Sequence, residues 1–393
     1  VSGLRAQRPV RRGIEHGRSA ARGVMVTVAS VVVAVGTVTG TVSALDDGHP
    51  VKDAKPLVTQ ASALGPPPGA PTPSHSSAVP SPPGRASPEP APDPSPTARK
   101  PRTAAAPARL YRHADSQVRD WLDAHPDDPR RAVIESRIAG RPAAVWFADF
   151  TPATITARVR AVTSTAAAQG RVPVLVPYAV PQRDCGGASE GGAPDLAAYD
   201  GWIDGFAAGL GSGEVVVVLE PDAVAQSDCL TEGGRTGRFA ALARAGRVLK
   251  AADPRARVYY DAGNSDWNPA ADQAALLRRA GAASPASSDG IFTNVSNFNR
   301  TSDEIAYARR VLSALGGPAG LGAVIDTSRS GNGPAAGGAW CDPPGRRIGE
   351  APTLSTGEAG IDAYLWVKPP GESDGCRGTA GTFSAEYAYE LAR

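Results

Sequence analysis

Residues 215–226 read Val-Val-Val-Val-Leu-Glu-Pro-Asp-Ala-Val-Ala-Gln. A short apolar run dominated by β-branched residues, with no polar alternation, predicts a strand buried on both faces. Pro221 has no N–H for the ladder, so the strand must end beside it. The stop leaves two carboxylates, Glu220 and Asp222, at the strand's C-terminal end. In a parallel α/β sheet or barrel that end is where chemistry is placed. The plain alternative is a loop whose acids only face water.

Similar runs recur on both sides of this stretch: Ala143–Phe147, Val172–Val176, Val258–Tyr260, Gly290–Thr293, Gly322–Ile325 and Asp362–Val367. Between them lie helical patterns at Thr151–Gln169, Asp195–Leu210, Arg235–Ala252, Pro269–Ala280 and Ser302–Leu315, with a last one at Ser384–Leu391. About seven βα units imply a parallel sheet with helical cover, and over residues 109–393 they suit a closed or nearly closed barrel. An open doubly wound sheet is the runner-up, without a Gly-rich dinucleotide fingerprint to support it.

The first 108 residues are of another kind. Six arginines between Arg5 and Arg22 precede an uncharged apolar run, Gly23–Leu45, followed by small residues at Val42-Ser43-Ala44. Residues 1–45 therefore read as an export signal, or as an uncleaved anchor attaching the protein to a membrane. Residues 46–108 are rich in Pro, Ala and Ser and hold, with Pro9, roughly half of the 37 prolines, the composition of an extended linker. Charge divides at the same place: the net +2 is about +6 over residues 1–108 and about −4 beyond. A nucleic-acid partner for the folded part is disfavoured. The four cysteines, Cys185, Cys229, Cys341 and Cys376, suggest two disulfides in an exported protein, with three pairings open.

Absent residues narrow the chemistry. All five histidines precede the first barrel strand, which argues against Ser-His-Asp or Cys-His catalysis and against His-ligated metal. What the strand ends carry is acid: Asp184, Asp222, Asp261, Asp326, Glu372 and Asp374. Parallel strands bring these to one barrel mouth, where crowding keeps one acid protonated while another stays ionised. That pairing is what hydrolysis of a glycosidic bond requires, and a divalent-metal site is the competing use of the same acids. Trp146, Trp267 and Trp340 lie near strand ends, where indole faces suit the apolar faces of sugar rings. Trp366 lies within a strand and reads as core. Lys368, Asn297, Arg329 and Glu372 are candidates to hydrogen-bond sugar hydroxyls.

Seven ordered motifs then carry a resemblance. Tyr178-Ala-Val-Pro-Gln-Arg183-Asp184-Cys185 and Leu219-Glu220-Pro221-Asp222 resemble the two signatures of glycoside hydrolase family 6, the cellulase family of endoglucanases and cellobiohydrolases. Asp261–Trp267, Asn297–Asn299, Asp326–Arg329, Trp340-Cys341 and Leu365–Gly375 follow in the family's order. The resemblance implies a distorted seven-stranded parallel β/α barrel that hydrolyses β-1,4-glucan with inversion, needing no cofactor or metal and acting as a monomer. By position, Asp222 would be the general acid, Asp184 would raise its pKa and relay a proton, and Asp374 matches the position proposed as base. Tyr178 would lie beneath the distorted sugar, with Ser189 on a mobile loop. Trp146, Asn264, Trp267, Asn297, Trp340, Lys368 and Glu372 match substrate-binding positions. The disulfides implied are Cys185–Cys229 and Cys341–Cys376.

Two departures stand out. Asn264 replaces a usual His and Asp342 a usual Asn, both expected to alter substrate contacts. The loops Asp184–Tyr199 and Lys368–Tyr387 are short, which predicts an open cleft and endo cleavage rather than the tunnel of an exo-acting cellobiohydrolase. A catalytically weakened glycan-binding protein is the reading from another class.

Overall fold

A computed structural model describes residues 109–393; the segments read as signal or anchor (1–45) and as linker (46–108) lie outside the described residues. In chain order the strands are β1 (Arg109–Leu110), β2 (Val145–Phe147), β3 (Arg171–Val172), β4 (Val174–Pro177), β5 (Val215–Leu219), β6 (Ala256–Asp261), β7 (Gly290–Thr293), β8 (Gly322–Asp326) and β9 (Ile361–Leu365). The helices are α1 (Gln117–Ala124), α2 (Arg131–Ile134), α3 (Ile155–Ala168), α4 (Leu196–Ala208), α5 (Glu232–Ala252), α6 (Ala270–Arg279), α7 (Thr301–Leu315) and α8 (Ala385–Ala392). Among the described residues no helix is long and apolar enough to cross a membrane.

Seven strands form one all-parallel sheet in the order β2-β4-β5-β6-β7-β8-β9. The fold is the distorted seven-stranded β/α barrel. Its two edge strands share no ladder. The seam between them carries one backbone hydrogen bond, Ala144 N–H to the Trp366 carbonyl at 2.9 Å, and a second from the Trp146 indole to the Val367 carbonyl at 2.7 Å.

The uniform apolar character of β5 follows from its place in the middle of this sheet. Val216 and Val218 point into the barrel with Val176, Tyr259, Phe292 and Val324, while Val215, Val217 and Leu219 face the helices. Both faces are dry, and each such side chain stabilises the fold by roughly 1.5–3 kcal/mol. Where β7 and β8 begin, the backbones touch: a Cβ on Gly290 would lie 1.8 Å from the Gly322 carbonyl oxygen, so only glycine fits.

Several boundaries differ from those read in the sequence. The run 172–176 is broken at Pro173, which leaves Arg171–Val172 to pair with Arg109–Leu110 and Val174–Pro177 to enter the barrel. Helix α5 starts at Glu232, ahead of Arg235, because the Thr231 hydroxyl accepts the Gly234 N–H at 3.1 Å and caps a turn containing two glycines. Residues 109–142, to which no element was assigned, form α1, α2 and a π-helical turn at Glu135–Ala139. These pack Leu122, Ile134, Ile138 and Ala139 on Ala388 and Ala392 of α8, a small core apart from the barrel.

Candidate active site

The loops that leave the C-terminal strand ends enclose a cleft of about 1640 Å³. All eight non-glycine residues with positive φ among the described residues lie on these loops: Gln182, Asp184, Cys185, Glu220, Asp222, Asn294, Ser296 and Asp342. Backbone strain concentrated at one rim marks that rim as the place where side chains are aimed at some expense of stability.

Asp222 shows the aiming. With φ at 48° and 70°, Glu220 and Asp222 bracket Pro221 and turn their carboxylates in opposite directions. Glu220 is fully buried and accepts hydrogen bonds from the backbone N–H groups of Ala179 and Val180 at 2.9–3.0 Å. It braces the loop after β4 and does not line the cleft. Burial still lifts its carboxyl to about 7 against those bonds. Asp222 is partly buried and lines the cleft. Its one protein hydrogen bond is long, from the Tyr178 hydroxyl at 3.4 Å. Burial, then Asp261, then Asp184 lift its carboxyl to about 8.

Asp184 raises the Asp222 carboxyl as its position suggested, and Asp261, which the sequence did not single out for this, adds to it. Asp261 caps β6, where its carboxylate accepts N–H groups of Ala225 and Gly263 at 2.9 Å and of Val224 at 3.3 Å. Those bonds hold it directly beneath the Asp222 turn. Burial lifts its own carboxyl to about 6.

Asp184 is joined to Asp222 through two hydroxyls. Its Oδ2 accepts the Ser189 N–H at 2.8 Å and the Ser189 hydroxyl at 2.9 Å. The Ser189 and Tyr178 hydroxyls are 3.0 Å apart. Arg183 shapes this loop, donating to the Ser189 carbonyl at 2.7 Å and to the carbonyls of Ala148 and Tyr178, with its guanidinium 4.6 Å from the Tyr178 ring centre. Burial and the charge of Asp222 push the Tyr178 hydroxyl upward, so it stays protonated.

Asp374 lies in a different setting. Its Oδ2 takes the Arg329 guanidinium at 2.7 Å and the Asp342 N–H at 3.2 Å, and its Oδ1 lies 3.4 Å from the Lys368 ammonium. Arg329 was a candidate sugar contact; it is fully buried and its two terminal nitrogens donate to Asp374, Tyr387 and the Ser296 carbonyl. Asp342 does not reach substrate space either. Its carboxylate is turned inward onto the loop 373–377, which corrects the expectation that it alters a substrate contact. Asp326 is another inward acid, accepting N–H groups from Ser296, Ser328, Val367 and Lys368 and tying three loops together.

The aromatic and polar candidates line the same cleft: Trp146, Asn264, Trp267, Asn297, Trp340, Lys368 and Glu372. Trp267 and Trp340 are 38% and 58% exposed, the large apolar side chains left to solvent among the described residues. Trp146 meets Tyr178 edge to face at 5.3 Å. Trp366 is buried, as core. Asn264 is nearly inaccessible and accepts from Asp266 N–H and the Asn299 amide. Glu372, lifted to about 7 by burial against the pull of Lys368, accepts from the Gln117 amide at 3.0 Å. Gln117 also donates to the Gly381 carbonyl at 2.7 Å and accepts the Phe383 N–H at 3.0 Å, so the unassigned N-terminal segment forms one wall. Disulfides Cys185–Cys229 and Cys341–Cys376 staple the rim loops. Among the described residues no group of three or more His, Cys, Asp or Glu side chains is placed to hold a metal ion.

A barrel-mouth groove that sets a carboxyl of raised pKa among further acids and bare indole faces suits the chemistry of a glycoside hydrolase. The comparisons with known proteins agree. The family model "Glycosyl hydrolases family 6" matches residues 103–393. Endoglucanase 1 of Streptomyces sp. (strain KSM-9) is 55% identical over 284 residues, covering 72% of this chain and 77% of that protein. Endoglucanase A of Thermobispora bispora is 49% identical over 284 residues, covering 72% of this chain and 61% of its own length. The solved endoglucanase Cel6 from Mycobacterium tuberculosis, in complex with methyl-cellobiosyl-4-deoxy-4-thio-β-D-cellobioside, aligns with a TM-score of 0.67 at 39% identity, over 73% of this chain and 97% of that one. The chain belongs to glycosyl hydrolases family 6, and is a cellulase-type glycoside hydrolase.

Proposed function

We propose that the protein is an exported endo-β-1,4-glucanase that cleaves internal glycosidic bonds with inversion, using Asp222 as the general acid. The observation that carries this reading is the setting of Asp222: a cleft-lining carboxyl with one long hydrogen bond, at 3.4 Å. Burial and the neighbouring Asp261 and Asp184 raise its pKa, which favours its protonated form near neutral pH. Such a group delivers a proton to the departing glycosidic oxygen as the C–O bond breaks. Attack from the opposite face needs room for a water between acid and base. Asp222 and Asp184 suit that need, since two hydroxyls, not a direct contact, connect them.

Asp184, through Ser189, takes the proton released by the water. Asp374 is less suited to that step because both its oxygens are engaged by cations and an N–H. Its fixed negative charge instead stabilises the positive charge that develops on the sugar ring. Trp267 and Trp340, exposed in the free protein, supply stacking faces for glucosyl units on an open groove, which favours endo cleavage. Relatives named endoglucanase support the same substrate class. Export is supported by the arginine-led apolar run at 23–45 and by the two disulfides. Residues 109–393 are the catalytic unit in this reading, and the Pro-rich stretch a spacer.

Proton NMR of fresh hydrolysate from a soluble β-1,4-glucan should show the α-anomer first, and solution viscosity should fall well before reducing ends accumulate. Initial β-anomer would defeat the inverting mechanism. Reducing ends released without loss of viscosity would defeat endo cleavage.

A further inference from the structure

Asp342 is an acid that neither lines the cleft nor braces a strand end. It lies on the loop after β8 with its backbone at φ 45°, a conformation Asp and Asn tolerate better than most residues. Only 4% of its surface is exposed. Four donors converge on its carboxylate, and all belong to the segment 373–377. The Asp374 N–H reaches Oδ1 at 2.7 Å. The Ser373 hydroxyl reaches Oδ2 at 2.6 Å, joined there by the N–H groups of Arg377 at 2.9 Å and Cys376 at 3.0 Å. In return the Asp342 N–H donates to Asp374 Oδ2 at 3.2 Å. The two aspartates thus hold each other reciprocally, and the neighbouring Cys341–Cys376 disulfide runs alongside.

We propose that Asp342 is a positioning residue for the reaction, an all-acceptor clamp that sets where the Asp374 carboxylate sits relative to the bound sugar. The inference rests on the role given to Asp374 above. Its physical basis is the sign of the partners. An ionised carboxylate accepts through both oxygens, whereas an amide of the same shape must present an NH₂ group on one side. If that NH₂ takes the place of Oδ1 it meets the Asp374 N–H; if it takes the place of Oδ2 it meets two backbone N–H groups. No rotamer of Asn satisfies the loop as it is built here. Asp342 and this loop conformation are thus a matched pair.

The test is a double-mutant cycle on the full chain, with Asp342→Asn and Asp374→Asn, measured on a soluble β-1,4-glucan. Asp342→Asn should lower kcat roughly 10- to 100-fold, as expected when a reacting group is displaced by a fraction of an ångström to about one. KM should stay within about twofold, because the stacking faces are untouched. In the Asp374→Asn background the same change should have no further effect on kcat, since the clamp then has nothing to position. If Asp342→Asn fails to give a cooperative melt, Ser373→Ala removes a single donor to the same carboxylate and should show a smaller loss with the same dependence on Asp374. Losses that multiply in the double variant overturn the inference, as does an undiminished kcat in Asp342→Asn or, where Ser373→Ala is used, in that variant. A fully active Asp374→Asn overturns the role of Asp374 itself, and the inference with it.

Discussion

Asp222 and Asp374 are the same side chain at the same rim, held in opposite electrical surroundings. The charges that raise the Asp222 carboxyl are carboxylates, Asp261 and Asp184, and the one donor to its side chain is a phenol at 3.4 Å. Around Asp374 are a guanidinium at 2.7 Å, an ammonium at 3.4 Å and a backbone N–H at 3.2 Å. The first setting raises the pKa of its carboxyl; the second surrounds a carboxylate with cations and a donor. One barrel mouth supplies both because each strand end contributes its own neighbours, and the neighbours decide protonation.

Breaking the cationic half should have the largest effect on the folded protein. Arg329→Met removes the fully buried partner of Asp374 and leaves Lys368 as the one cation paired with its carboxylate. Loss of about 3–5 kcal/mol is expected for a buried pair broken on one side, read from denaturant unfolding near neutral pH. A change below about 1 kcal/mol would show that the pair is not what holds this loop.

Weakening the acidic half should change pH dependence more than stability. The active form of Asp222 is the protonated one, so activity is lost as pH rises through about 8. Asp261→Asn removes the larger of the two charges that raise this value, so the alkaline limb of the kcat profile should move to lower pH. Rates at pH 8–9 should fall severalfold while rates at pH 5 change little. An alkaline limb that stays in place would mean that Asp261 does not act on Asp222. The smallest effect belongs to a residue outside both halves: Trp340→Ala should raise KM roughly two- to tenfold through lost stacking, with thermal stability nearly unchanged. An unaltered KM would remove Trp340 from the substrate path.

The sequence made the barrel legible because β5 and its neighbours are apolar on both faces, a pattern that survives without knowledge of partners. Strand-end acids were legible for the same reason: each follows a run whose end is marked. What their side chains do was less so. Glu220 and Asp222 are two residues apart, and only the strained turn around Pro221 shows that one braces the fold while the other faces the cleft. The weight of Asp261 on Asp222 is a matter of distance across strands. Arg329 read as a sugar contact since a strand-end arginine carries no mark of its burial. Residues 109–142 gave no signal because α1 and α2 are short and find their apolar partner in α8, at the far end of the chain. Asp342 was noticed as an unusual residue, yet its direction of contact came only from the folded loop.

The central claim, that Asp222 bears the proton that leaves with the aglycone, is tested most directly by comparing leaving groups in Asp222→Ala. A soluble β-1,4-glucan needs a protonated leaving oxygen, whereas a dinitrophenyl β-cellobioside, whose phenolate departs unaided, does not. The predicted result is a loss of about 10²–10⁴-fold in kcat on the glucan and a loss under about tenfold on the activated glycoside. Equal losses on both substrates would contradict the assignment.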